Sequence, residues 1–365
     1  MKRLLPVFIL VVMTLAACST EPSDRPVNPT IAETQSAEPI NTTKPTDTPL
    51  LSATNRTEPT ATPSPTATPT TSPTPTIAPT PIHPRGEIIR HAPNEASDYV
   101  WFSYLPDNFS TDDTVYILIN GFQCCCPNDQ DEGTRGMMNS YINIAEKHKY
   151  ALLFPAIPRN CGADVDDWVF HFPDYVFTSP IDHPFYRIDL KVNAMIDELI
   201  SMLEEEGYTV HKKVFLFGWS IDSHFANRYS LLQPHRVEAF AAGGTAGEIT
   251  IPVEVIVGVS LDMPLGVGNF DTLVGEPFKV DLYMDIPQMF FWGEQDLEHY
   301  HLERKEYQNW KNYWGKDLVT ALRKQCAYLQ SLEMEVTCKE YPGVEHEFTP
   351  EMQEDIFKYF EQFRD

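Results

Sequence analysis

Basic residues are scarce: 27 Lys and Arg stand against 52 Asp and Glu, for a net charge of −25 at neutral pH. Nucleic acid is therefore not an expected partner, because binding a phosphate backbone needs cations that displace its counterions. The same long-range field disfavours polyanionic substrates and leaves neutral molecules as the easier ligands. Long apolar runs are also lacking. After residue 17 no stretch reaches the ~18 apolar residues that a spanning helix needs, so the chain offers no second membrane segment. Cysteines number seven, and none has histidine neighbours at ligand spacing, which makes zinc the weaker reading of them. No metal or cofactor is expected.

What is present begins with MKRLLPVFILVVMTLAACST, in which basic Lys2 and Arg3 precede an apolar stretch from Leu4 to Ala17. This reads as a secretory signal and not as a permanent membrane helix. Its end, Leu15-Ala16-Ala17-Cys18, resembles the bacterial lipobox. That resemblance implies a lipid on Cys18 as the only membrane attachment, with ordinary secretion as the alternative. Residues 19–84 carry many of the 31 prolines, interleaved with Thr and Ser. Too little apolar surface is available there to offset the entropy of folding. At about 3.1 Å per residue such a tether extends to roughly 200 Å at most.

Residues 85–365 have the length and composition of one folded α/β domain, large enough to bury a normal core. Six cysteines fall in it, an even number that favours disulfides in an exported protein. Cys326, on a predicted helix, is expected to pair with Cys338 on the next strand. One of Cys124, Cys125 and Cys126 is expected to pair with Cys161. Which of the three does so is left open.

Apolar runs alternate with helical patterns, which indicates βα units and a mainly parallel sheet. Strands are predicted at 99–105, 115–119, 151–154, 214–217, 238–242, 286–292 and 334–341. Helices are predicted at 135–148, 187–206, 221–232, 302–332 with a possible break at Gly315, and 351–363. The loop at 156–186 is rich in aromatics from Trp168 to Tyr186, which would either line a pocket or pack over the sheet edge. Asp164, Asp166 and Asp167 have the spacing of some calcium loops, but a solvated loop is the better reading.

The chemistry concentrates at Gly218-Trp219-Ser220-Ile221-Asp222, an abrupt turn from strand to helix. Such a turn displays a nucleophile, although a serine there can equally cap a helix. A hydroxyl attacks an ester only when an imidazole takes its proton and a carboxylate orients that imidazole. Asp296, at the end of a buried strand, is the candidate acid, with Glu294 its nearest rival. His346, in the loop before the last helix, is the candidate base, with His299 and His301 as substitutes. The N–H of Ile221, at the helix start, is a candidate oxyanion donor. A second is expected from Phe122 or Gln123, after the flexible Gly121.

In this order and spacing the residues resemble the α/β-hydrolase superfamily, and within it the secreted polyhydroxybutyrate depolymerase-like, feruloyl and acetyl esterases. The resemblance spans about 98–363 and rests on Tyr104-Leu105-Pro106, Asn120-Gly121, the segment 218–222, Gln233-Pro234 through Gly243-Gly244, the segment 293–296 and the segment 343–346. It implies helices on both faces of a mainly parallel sheet. It also implies hydrolysis of a small or polymer-borne carboxylic ester through an acyl-enzyme, by a monomer. A serine peptidase of the same fold is one alternative. An inactive surface-binding lipoprotein is another, supported by two departures from the family pattern. Asn120 stands where His is usual, and Asp222 where the elbow closes with a small residue. Asp222 implies looser local packing or a specific partner, and is expected to be tolerated.

Overall fold

The computed structural model describes residues 83–123, 129–161, 166–297, 308–315 and 317–364. The chain divides into two units, residues 1–74, which lie outside the described residues, and 75–365. Cys18, Cys124, Cys125, Cys126, Asp164, His299 and His301 also lie outside them. Packing reaches back slightly beyond the expected start of the domain, since His83 is buried with its Nε2 2.6 Å from Ser103 Oγ.

Eight strands form the path of the central sheet among the described residues: β1 Ile88–His91, β2 Trp101–Tyr104, β3 Thr114–Asn120, β4 Tyr150–Pro155, β5 Val214–Trp219, β6 Val237–Gly243, β7 Gln288–Gly293 and β8 Val336–Tyr341. Their order is β1-β2-β4-β3-β5-β6-β7-β8, with a two-residue strand at Thr209–Val210 paired to the start of β3. The β1–β2 and β2–β4 pairs are antiparallel and the others along this path are parallel. The main helices are α1 Gln130–His148, α2 Ile188–Glu205, α3 Ile221–Leu232, α4 Leu318–Ser331 and α5 Pro350–Phe360.

Both faces of the sheet are covered, and the alternation of side chains along β3 explains how. Ile117 and Ile119 join the layer containing α2, α3 and α4, while Leu118 joins the layer containing α1 and α5. A strand buried on two sides needs apolar residues at successive positions, which is why β3, β4 and β5 read as continuous runs. The edge strand β1, Ile-Ile-Arg-His, has no such run and was not anticipated from the sequence. Charged edge residues such as Arg90 are a usual way to blunt a free sheet edge.

The expected helix at 302–332 appears, within the described residues, as Gln308–Trp314 and α4, separated at Gly315, whose φ of 141° ends a helical run. The aromatic loop falls on the packing side of its two readings for Phe170, Phe172 and Phe177, which are buried. The Phe170 ring packs at a tilt against the Phe225 ring on α3, with centroids 4.6 Å apart. Cys326 of α4 and Cys338 of β8 lie at disulfide distance, with Cα atoms 6.4 Å apart. Cys124, Cys125 and Cys126, the cysteines expected to supply a partner for Cys161, lie outside the described residues. No helix among the described residues is long and apolar enough to cross a membrane.

Candidate active site

Ser220 sits between β5 and α3 with φ 56° and ψ −123°. An L-residue adopts this backbone only at a cost of ~1–3 kcal/mol, so the surrounding structure must enforce it. Two contacts do so. The Ser220 N–H donates to Gly243 O at the end of β6, 2.8 Å away. At Gly218, a Cβ would lie 2.1 Å from Asp222 O and 2.6 Å from Ser223 N, so strand and helix touch backbone to backbone. Only glycine fits there. Ile221, the first residue of α3, has no intrahelical acceptor for its N–H.

The helix behind the serine is buried almost throughout despite its polar sequence. Arg228 Nη2 pairs with Glu248 Oε2 at 3.1 Å, and Arg228 Nη1 donates to His171 O at 2.7 Å. Asn227 donates to Tyr283 Oη at 3.1 Å and accepts the Thr250 N–H at 2.9 Å. A buried ion pair contributes little net stability over apolar packing, but once formed it admits few alternative positions. Here it ties α3 to the segment after β6.

Asp296 follows β7 and is fully buried, with Oδ2 2.9 Å from His346 Nδ1. His346 Nε2 lies 2.9 Å from Ser220 Oγ. With the Nδ1–H donating to Asp296, Nε2 is the acceptor for the serine O–H. The approach of the His346 loop depends on Gly293, where a Cβ would stand 2.3 Å from Val344 O and 2.4 Å from Glu345 O. Gln295 N–H donates to Val344 O at 2.8 Å and locks the two segments together. Glu294, the rival acid, instead accepts the Gly343 N–H at 3.0 Å and braces the histidine loop from outside. The Trp219 ring packs 5.2 Å from the imidazole and 5.9 Å from Phe348, giving the site an apolar wall.

The loop after β3 brings a correction. Gln123 was expected to offer a backbone donor to an oxyanion, but its N–H is directed to Asp222 Oδ1, 3.3 Å away. Its side chain is equally engaged, donating to Ile157 O at 3.0 Å and Pro158 O at 2.8 Å and accepting the Phe170 N–H at 3.3 Å. Phe122 remains as the candidate donor of this loop. Its carbonyl accepts from Gln130 Nε2 at 2.9 Å. Asn120, at the end of β3, is buried and donates to Phe217 O at 3.1 Å, spanning to the next strand.

Asp222 has a specific partner in Gln123, and the expectation of looser packing does not hold, given the close contact at Gly218. Burial pushes its carboxyl well above the usual carboxylate range, opposed by the Gln123 N–H. Tyr141 of α1 senses the same charge: burial first, and Asp222 second, raise its phenol. Because the folded-state pKa of Asp222 exceeds the unfolded one, its contribution to stability falls as pH rises from the unfolded value through the folded one. Asp222→Asn stays neutral. Whatever its offset near pH 4, its melting temperature is expected to gain on that of the wild type as pH rises from there into the neutral range. Thermal melts of the two proteins across that range check the sign.

An oriented imidazole facing a serine hydroxyl at a strand-to-helix turn can remove the proton as the oxygen attacks a carbonyl. Two solved structures share the architecture that holds these groups. A poly(aspartic acid) hydrolase from Sphingomonas sp. KT-1 is 16% identical over 76% of this chain and 98% of that one, with a TM-score of 0.53. A poly(3-hydroxybutyrate) depolymerase from Bordetella parapertussis is 16% identical over 76% of this chain and 90% of that one, with a TM-score of 0.52. The fold is that of the α/β-hydrolases. No protein-family model matches the sequence, and no curated protein does. The turn after β5 stands at the place where this fold makes its strand-to-helix elbow, and Ser220, Asp296 and His346 occur in the serine, acid, histidine order found in it.

Proposed function

We propose that the protein is a serine carboxylic ester hydrolase that works as a monomer through an acyl-enzyme. Ser220 Oγ attacks the ester carbonyl while His346 Nε2 takes its proton, and the resulting imidazolium is held by Asp296. The N–H groups of Ile221 and Phe122 stabilise the oxyanion. Collapse of the tetrahedral intermediate expels the alcohol, which takes the proton from His346. Water then attacks the acyl-serine with His346 again as base, releasing the acid and restoring Ser220. The observation that carries this reading is the unbroken chain from Ser220 Oγ through His346 to Asp296, two contacts of 2.9 Å each.

A net charge of −25 favours a neutral ester, small or polymer-borne, over a polyanion. The setting proposed for it is the bacterial cell surface, with lipid on Cys18, a tether over 19–84, and a Cys326–Cys338 disulfide beside a second between Cys161 and one of Cys124, Cys125 and Cys126. Metabolic labelling with a lipid precursor, lost on Cys18→Ala, tests the anchor.

The activity itself is tested with p-nitrophenyl esters of increasing acyl length, feruloyl esters and matched p-nitroanilides. Ester turnover with a stoichiometric burst of p-nitrophenol is the expected result. Turnover of anilides alone would shift the reading to a peptidase. No turnover by the folded protein on any of them would favour the surface-binding alternative.

A further inference from the structure

The peptide unit between Phe122 and Gln123 is held at both ends. Its carbonyl oxygen accepts from Gln130 Nε2 at 2.9 Å, and its N–H donates to Asp222 Oδ1 at 3.3 Å. In a planar trans peptide these two groups point in opposite directions, so the unit cannot rotate without losing one of them. The Phe122 N–H belongs to the preceding peptide, joined to this one through the φ and ψ of Phe122, so anchoring this plane limits how far that N–H can swing. Asp222 lies two residues beyond Ser220 in the first turn of α3, so a single rigid element carries the serine, the Ile221 donor and the acceptor that steadies the opposite loop.

We propose that Asp222 is a positioning residue: by accepting the Gln123 N–H it holds the Phe122–Gln123 peptide and so aims the Phe122 N–H at the reacting carbonyl. A small residue at this place in the elbow has no side chain to make that link. Asp222 is only 8% exposed, so water does not compete freely for the Gln123 N–H. A neutral carboxyl still accepts through its carbonyl oxygen, and burial favours that form. The role therefore needs an acceptor oxygen and not a charge. Asparagine should supply it, and alanine should not.

This inference rests on the esterase reading of Ser220, and the test separates the two. Wild type, Asp222→Ala and Asp222→Asn are compared on a p-nitrophenyl ester, with kcat normalised to the amplitude of the burst and folding checked by thermal melts. A lost oxyanion donor costs ~10²–10³ in kcat. A donor present but misaimed is expected to cost roughly 10–100-fold in Asp222→Ala, with KM within about twofold and Asp222→Asn restoring kcat to within about threefold of wild type. If Asp222→Ala does not fold, Asp222→Gly takes its place in the same comparison. Wild-type kcat in the variant without an acceptor, a change confined to KM, or failure of Asp222→Asn to restore kcat would each overturn the proposal. An inactive but folded wild type would instead remove the esterase reading on which it stands.

Discussion

Ser220→Ala is expected to lower kcat for ester hydrolysis on the order of 10⁶-fold. The alanine keeps the backbone that Gly243 O and the close approach at Gly218 impose. It deletes only the oxygen that faces His346 Nε2. The proposed oxyanion donors and any binding surface remain, so a small residual rate above that of water is expected. The left-handed backbone strain is common to both residues, and the melting temperature should move by no more than a few degrees. Steady-state kinetics beside a thermal melt check both halves of this result. An active Ser220→Ala would mean that another group supplies the nucleophile.

Asp296→Asn is expected to lower kcat by roughly 10⁴-fold with little change in fold. Asp296 is fully buried and accepts from His346 Nδ1, which fixes the tautomer that leaves Nε2 free to take the serine proton. An amide nitrogen turned toward Nδ1 would stabilise the opposite tautomer, with the proton on Nε2, where it blocks the transfer. Glu294→Gln is the matched control. Its carboxylate braces Gly343 from the exposed side, and the amide oxygen can accept the same N–H, so a loss below about tenfold is expected. Pre-steady-state kinetics on the ester panel should place the Asp296→Asn loss in both acylation and deacylation, since the imidazole serves as base in each.

The inner strands were legible in the sequence because a sheet covered on both faces allows little but apolar residues at successive positions, as along Val115 to Ile119. The elbow was legible because β5 and α3 are separated by almost nothing. The bounds of α3 at Ile221 and Leu232 coincide with the helix read from the sequence. The edge strand β1 escaped, since one free edge relaxes the demand for apolar residues.

The fine structure around the serine was less accessible. Whether the N–H of Gln123 faces a substrate or a neighbour is settled by Gln130 and Asp222, the second of which is distant in the sequence. No periodicity encodes such a pairing. Arg228, whose polarity suggests a solvated helix face, is fully buried because Glu248 and the His171 carbonyl meet it there. The Gly293 requirement was similarly hidden, since it arises only where the His346 loop crosses the end of β7.

The proposed mechanism requires that His346 make the hydroxyl of Ser220 reactive. Reaction of the folded wild-type protein with a fluorophosphonate, followed by intact mass and peptide mapping, measures this most directly. One phosphonyl group per chain, located on Ser220 and slowed strongly by His346→Ala, is the predicted result. No adduct, or an adduct on a different residue, would contradict it.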